Sequence, residues 1–266
     1  MTTATKTTIT LHARQKEILH TLYRFRFLNR IHIQHLLHHK QFNRIISWLN
    51  NLTTTGYIKR YYNPKIVTQP AFYSLGSKGR TYLRECREYS DIKRTVLDRV
   101  WQEYKTSTQF KSRCMAVADI YLSLITLVQK THATLVFKTQ TDLTGIHYLI
   151  IPPPDAFFAI KEASGNSRSY FLDIFEEHPT RKKLYDRVQR YFSYYEANYW
   201  QDHSANTFPN IIFVCPDTWS LRYLYRKIQY RLESADNLNF YLTTQELLRT
   251  RGMCREVLQK VKLQNE

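Results

Sequence analysis

The spacing of hydrophobic and polar positions divides the first third of the chain into helices and a hairpin. Apolar residues recur every three or four positions in three segments, which predicts three amphipathic helices. These segments are residues 11–24, 30–38 and 41–54. Gly56 follows the third segment, where glycine is typical of a helix end. Two strand-like runs and a fourth helix come next, at residues 57–62, 71–75 and 78–89. Three helices followed by a hairpin predict a winged helix-turn-helix.

Beyond residue 90, helical and strand-like patterns alternate. Two helices are predicted at 91–105 and 110–129. The predicted strands are 133–139, 146–151, 156–160, 169–175, 211–215 and 239–242, and the later helices are 180–200, 217–234 and 244–262. This alternation predicts an α/β domain with a mixed, partly parallel sheet. We therefore expect a winged helix over residues 1–90, a helical connector over 91–130 and an α/β domain over 131–266.

The charge of the chain indicates what class of partner it binds. Lys and Arg total 39 against 22 Asp and Glu, which gives a net charge of +17 and a pI near 9.7. Residues 1–90 hold 15 of these cations and only 3 acidic residues. Such an asymmetry favours a nucleic-acid-facing segment joined to a more neutral body. A helical bundle with a solvated basic face is the alternative.

The polar face of the third helix and the hairpin supply the candidate DNA contacts. In a winged helix the third helix enters the major groove, so its polar side chains meet base edges. These residues are Gln41, Asn43, Arg44, Ser47 and Asn50. Cations on the hairpin would hold phosphates without reading sequence. They are Lys59, Arg60 and Lys65.

Several classes of protein and site are disfavoured. The longest apolar runs fall far short of the ~20 residues that a membrane span needs. The first fifteen residues contain no signal-peptide core. The four cysteines are scattered without a CxxC pair, which favours a reducing, cytoplasmic compartment. No Walker-type loop and no GxGxxG motif occurs.

The sequence resembles the replication-relaxation family of mobile-element proteins. The resemblance rests on NRIISWLNNLTTTGYIKR and YSLGSKGRTYL in the first part, and on SRCMAVADIYLSL, PDAFF and YFLDIFEEHPTRKKLYDRVQRYFSYY in the second. It extends from about residue 14 to at least residue 215. The resemblance implies a bacterial DNA-binding protein that works with plasmid replication or mobilisation machinery. It implies no particular reaction.

A second pattern, in the α/β domain, is similar to that of PD-(D/E)xK nucleases. Asp155 follows three prolines and Asp173 lies on the next strand. In that restriction-endonuclease-like fold, two such carboxylates hold Mg²⁺ and a lysine two residues after the second orients water. Oxygen ligands suit Mg²⁺. Here Phe175 occupies the lysine position.

Residues after the second strand are candidates to complete the nuclease-like site. Strand alternation would place Glu177 on the face of Asp173 and Glu176 on the opposite face. Lys182 or Lys183 would reach in from the following helix, on which Gln189 would also face the site. A scaffold without catalysis, used for binding or assembly, is the preferred interpretation of this degraded pattern.

Aromatic and basic residues crowd two helices of the same domain. Tyrosines are abundant in residues 185–199, and a relaxase uses a tyrosine nucleophile. The His-apolar-His motif that accompanies such a tyrosine is absent, so packing or base stacking is the preferred role. Arg222, Arg226, Lys227 and Arg231 form either a solvated face or an extension of a DNA path.

The function predicted from these observations is sequence-preferring binding to double-stranded DNA for a plasmid or other mobile element. Replication or mobilisation proteins and a second copy of the chain are further candidate partners, and no membrane is expected. Two alternatives remain: a Mg²⁺-dependent DNA endonuclease and a transcriptional repressor. A reporter assay on the element's own promoter separates the repressor from a replication protein. Mg²⁺ is the one cofactor expected, and only for the nuclease.

Overall fold

The computed structural model describes residues 11–62, 70–89, 91–100, 102, 105–204, 206–232 and 238–263, except for the side chain of Val100. The chain forms two compact units, Met1–Tyr104 and Lys105–Glu266. The segment 91–130, expected to be a connector, is thus divided between them. Its first helix lies in the first unit and its second helix lies in the second.

The first unit combines helices with a small antiparallel sheet. Its elements are α1 (Ala13–Phe25), β1 (Leu28–Asn29), α2 (Arg30–Leu36), α3 (Phe42–Thr54), β2 (Ile58–Tyr61), β3 (Phe72–Leu75), α4 (Ser77–Glu85) and α5 (Arg94–Val100). The three strands have the order β1-β3-β2. The buried apolar faces of α1 and α3 include Ile18, Leu22, Ile45 and Leu49. The helices and hairpin therefore occur in the order that the hydrophobic pattern predicts.

Two glycines allow the chain to turn from α3 into the hairpin and α4. Gly56 has a φ of +80°, a conformation that side chains with a Cβ rarely adopt. Gly79, in the first turn of α4, lies directly against the backbone that follows Gly56. A Cβ at Gly79 would come within 2.2 Å of the Tyr57 carbonyl oxygen. The two glycines hold the hairpin base close to α4.

The second unit is built on a six-stranded mixed sheet. Its elements are α6 (Thr108–Thr131), β4 (Thr134–Thr139), α7 (Gln140–Leu143), β5 (Ala156–Lys161), β6 (Ser167–Ile174), α8 (Arg181–Glu196), α9 (Tyr199–His203), β7 (Asn210–Cys215), α10 (Thr218–Leu232), β8 (Phe240–Thr244), α11 (Gln245–Arg251), a 3₁₀ turn (Arg255–Val257) and β9 (Gln259–Lys260). The strand order is β4-β5-β6-β7-β8-β9. Strands β6, β7 and β8 are mutually parallel, and the other pairs are antiparallel. The chain is thus a mixed α+β protein.

Helix α6 is long and apolar enough, by length and composition alone, to cross a membrane. It packs against β4, and the Tyr121 ring lies 4.7 Å from the Phe137 ring. The Ser123 hydroxyl also accepts a hydrogen bond from the Met253 backbone N–H. A core helix of an α/β unit has the same composition, so α6 is weak evidence for a membrane span.

Three predicted elements of the second unit differ from the structure, and one of them is the helix expected over 180–200, which is divided into α8 and α9. The apolar run 146–151 forms turns and not a strand, because Leu149 and Ile150 cover the core from a loop. Short apolar runs do not distinguish these two cases. The predicted last helix, 244–262, ends at Arg251, and the chain turns at Gly252 and adds β9 beside β8.

Candidate functional site

All five polar residues predicted to face DNA are exposed on α3 or at its N-cap. They are Gln41, Asn43, Arg44, Ser47 and Asn50. The opposite face of the helix is buried through Ile45, Leu49 and Leu52. The hydrophobic face therefore fixes α3 against the unit and leaves a continuous polar face open.

Contacts from the turn after α2 and from α1 fix where α3 begins and how it is rotated about its axis. In the turn after α2, the His39 Nδ1 atom accepts from the Gln41 backbone N–H at 3.1 Å. The His39 ring also meets Trp48 of α3 edge-on, with centroids 4.9 Å apart. From α1, the Gln15 side-chain amide donates to the Asn51 Oδ1 atom at 2.8 Å. The polar face of α3 is held in one orientation.

Exposed cations lie on β2, which packs against α3. Lys59 and Arg60 are exposed on β2. Lys65, predicted to contact phosphate as well, lies outside the described residues. At the start of α2, the Arg30 guanidinium covers the Phe42 ring of α3 at 3.9 Å. The first unit thus offers polar and cationic side chains on neighbouring elements.

In the second unit, the strand pairing brings Asp155 and Asp173 together. Asp155 directly precedes β5 and Asp173 lies near the end of β6, and these strands are antiparallel neighbours. The Asp155 N–H donates to the Leu172 carbonyl at 2.9 Å, and the Ile174 N–H donates to Asp155 Oδ2 at 2.8 Å. Both aspartates line a cavity of about 310 Å³. It opens at the carboxyl end of β6, where α/β sheets commonly bind ligands.

Both oxygens of Asp173 accept hydrogen bonds from α8. The Arg187 Nη2 and Nε atoms donate to Asp173 Oδ1 and Oδ2, each at 2.9 Å. The Tyr191 hydroxyl donates to Oδ2 at 2.6 Å, and Arg187 Nη1 donates to the Pro152 carbonyl at 2.7 Å. Burial and the Asp173 charge raise the pKa of Tyr191 well above its usual value, so this hydroxyl remains a donor. Burial alone would lower the pKa of Arg187, but the Asp173 carboxylate raises it above its usual value.

Asp155 has a different environment from Asp173. Its Oδ1 atom lies 3.3 Å from the Nε atom of Arg113 on α6. Burial raises the pKa of Asp155 to about 7, although the Arg113 charge opposes this shift. The Asp155 carboxyl group therefore changes between its protonated and its ionised form near neutral pH.

The remaining residues predicted for the nuclease-like site separate into two groups. Lys183 lines the cavity and pairs with Glu176 at 2.8 Å, and Arg113 lies 3.6 Å from the same Glu176 carboxylate. Glu177 is exposed beside a neighbouring cavity, and the exposed Lys182 pairs with Asp186. Strand β6 ends at Ile174, so the alternation that favoured Glu177 does not continue to it.

Comparison with known proteins identifies the family. The sequence model described as replication-relaxation matches residues 19–211. The chain belongs to the replication-relaxation family. This confirms the resemblance that the sequence motifs indicated.

Other comparisons with the replication-relaxation protein are more distant. A solved structure that is similar to it is that of a cysteine-to-serine mutant of MarR from E. coli, complexed with operator DNA. Identity is 15%, the TM-score is 0.27, and the match covers 45% of this chain and 74% of that chain. No curated protein matches the sequence significantly.

Sequence reasoning missed the two residues of α8 that donate hydrogen bonds to Asp173 in the replication-relaxation protein. Arg187 and Tyr191 lie on the face of α8 that includes the buried Leu184 and Val188. Arg187 has the helical spacing of these buried residues, and this spacing was the sign in the sequence that its side chain faces inward. Gln189, expected to face the site, is two positions from Arg187 and so points about 200° away from it.

The arrangement does not fit a Mg²⁺ ion held by Asp155 and Asp173. Both oxygens of Asp173 already accept hydrogen bonds from Arg187, and one accepts from Tyr191 as well. A divalent metal at Asp173 would have to compete with the Arg187 guanidinium, whose positive charge repels it. Within the described ranges, no group of three or more His, Cys, Asp and Glu side chains is placed to hold a metal ion.

Proposed function

We propose that this protein binds double-stranded DNA through α3 and acts in the replication or mobilisation of a plasmid or other mobile element. One observation carries the proposal: the five polar side chains of α3 and its N-cap are all exposed, and exposed cations lie on the adjoining strand β2, in the part of the chain that holds most of the net positive charge. In the proposed winged helix-turn-helix, α2 and α3 form the helix-turn-helix and β2 and β3 form the wing. Side chains of α3 then read base edges in the major groove.

The proposed roles divide between α3 and the hairpin. Asn43, Arg44 and Asn50 have side chains suited to paired hydrogen bonds with base edges. Lys59 and Arg60 on β2 hold phosphates, which gives affinity without sequence preference. A dimer on repeated sites would join two such half-sites.

Duplex selection and salt titration test this proposal. The full chain would first select binding sites from a pool of random-sequence duplexes, and affinity would then be measured by gel shift. We expect affinity to fall steeply as salt rises, because cations that contact phosphate release counterions. Absent binding, or binding that does not respond to salt, would refute the proposal.

Two substitutions distinguish base reading from phosphate contact. Asn43→Ala should weaken binding to the selected site by about 1–3 kcal/mol and relax the preference at one base pair. Lys59→Ala should weaken binding to all duplexes alike and reduce the salt slope by about one. Lys138→Ala, an exposed cation of β4, is the matched control and should leave binding unchanged.

We propose that the α/β unit serves assembly and not DNA cleavage. The convergence of Asp155 and Asp173 favours a nuclease-like scaffold, but Arg187 occupies the carboxylate that a catalytic metal needs. Incubation of the protein and a supercoiled plasmid with Mg²⁺ or Mn²⁺ should give no nicking. Nicking that is lost in Asp173→Ala would instead establish the endonuclease.

A further inference from the structure

A row of aromatic and cationic side chains follows one face of α10. Trp219, Tyr223 and Lys227 are spaced four residues apart and therefore lie above one another on the helix. The Trp219 and Tyr223 rings are stacked, with centroids 5.8 Å apart and an interplanar angle of 10°. Trp219 is 50% exposed, and Tyr230 near the end of the helix is 78% exposed. Large aromatic surface is thus left open to solvent.

Helix α8 adds a cation and a further ring to this row. The Arg181 guanidinium lies 5.3 Å from the Trp219 ring and 6.0 Å from the Tyr223 ring. The Lys227 ammonium lies 6.0 Å from both the Tyr223 and the Tyr185 rings. The surface formed by Arg181, Tyr185, Trp219, Tyr223 and Lys227, which we call the stacking surface, therefore alternates rings with positive charges.

A second row of cations runs beside the stacking surface. Arg222 and Arg226 each lie three residues beyond an aromatic residue of the first row, so they are about 60° around the helix from it. Both are exposed, and with Arg251 they line a cavity of about 790 Å³. Helix α10 contains no Asp or Glu within its bounds. The charged side chains that α10 itself contributes to this surface are therefore all positive, and Glu246 of α11 is an acidic residue on the lining of the neighbouring cavity.

We propose that the stacking surface binds single-stranded nucleic acid. Unpaired bases present ring faces that stack on tryptophan and tyrosine, and the adjoining cations track the phosphates. Duplex DNA keeps its base faces inside the stack and offers these rings nothing comparable. Contacts between rings and cations can also serve only to stabilise a helix. Such a role does not require the rings of Trp219 and Tyr230 to be exposed. It also does not require a second row of exposed cations, Arg222 and Arg226, beside them. This surface is separate from the duplex-binding face proposed for α3.

Binding of full-length protein to fluorescently labelled oligothymidylate tests the proposal, because this probe forms no duplex with itself. Oligouridylate provides the RNA arm of the same measurement. We expect Trp219→Ala and Tyr223→Ala each to weaken binding about tenfold, since each ring stacks on one base. Tyr199→Ala, an exposed tyrosine of α9 in the same unit, is the matched control and should bind as the wild type does.

A spectroscopic signature separates stacking from a purely structural role. Binding should quench the fluorescence of Trp219, and Trp219→Phe should lose this quenching while retaining most of the affinity. Binding of neither oligonucleotide would overturn the proposal, as would affinity that is unchanged in Trp219→Ala and Tyr223→Ala. Duplex binding through α3 is measured separately with Asn43→Ala, so either proposal can fail without the other.

Discussion

Substitution of Arg187 by methionine tests whether the carboxylates of the α/β unit depend on an internal cation. Methionine keeps an unbranched stem like that of arginine but lacks the guanidinium, so it cannot donate the two hydrogen bonds to Asp173 or the one to the Pro152 carbonyl. The Asp173 side chain is only 11% exposed and would remain buried without its counterion. Removing one partner of a buried ion pair costs about 3–5 kcal/mol. We expect the free energy of unfolding of the second unit to fall by this amount.

Urea denaturation at neutral pH provides the measurement, and amide hydrogen exchange in β5 and β6 assigns the change to this unit. Lys182→Met is the matched control, because Lys182 lies on the same helix but is 83% exposed in its pair with Asp186. An exposed helical pair contributes only about 0.3–0.5 kcal/mol. If Arg187→Met costs no more than Lys182→Met, the ion pair is not a structural element.

A double-mutant cycle then separates the lost pair from lost packing. Adding Asp173→Asn to Arg187→Met removes the uncompensated charge, so the double variant should be more stable than Arg187→Met alone. The Tyr191 hydroxyl can still donate to the asparagine oxygen. If the double variant is destabilised by the sum of the losses in the two single variants, Arg187 acts through the packing of its stem and not through its charge.

Three further predictions concern other buried groups. Since the pKa of Asp155 is raised to about 7, its contribution to stability is present below about pH 4 and is lost as the pH rises through 7. Asp155→Asn, which still accepts from Ile174, should reduce that loss by up to about 4 kcal/mol in urea titrations across pH, and an unchanged pH profile would contradict the raised pKa. Gly79→Ala should lower the melting temperature of the first unit, because its Cβ would collide with the Tyr57 carbonyl; an unaltered melting curve would refute this contact. Burial raises the pKa of Cys215 to about 12, so maleimide should label it only after unfolding, whereas the other three cysteines are half-buried and should react first.

The first unit was largely predictable because its signals are local. The three predicted helices agree with α1, α2 and α3 to within two residues. Each has a regular apolar period, and Gly56 marks the end of α3. The short β1 strand carries no such signal, since it consists of two residues that pair with β3 across more than forty positions.

The site of the α/β unit was predictable only in part. The proximity of Asp155 and Asp173 was predictable from the strand pattern, because adjacent antiparallel strands bring the start of one strand beside the end of the other. The partners of these aspartates come from α6 and α8, and most cations of α8 lie on its exposed face. The spacing of Arg187 from Leu184 and Val188 favours the buried face of α8, but the group that it contacts on the sheet depends on how α8 packs, which a single helical segment does not reveal.

The hydrogen bonds of Arg187 also have a consequence for local unfolding. One guanidinium joins α8, the end of β6 at Asp173 and the proline segment at Pro152, which are far apart in the chain. Detachment of α8 breaks the bonds of Arg187 to both other segments, and detachment of either of those breaks one of them. The amide of Asp155, which directly follows the three prolines, the amides around Asp173 and those of α8 should therefore exchange with solvent as one cooperative unit, with a common opening free energy.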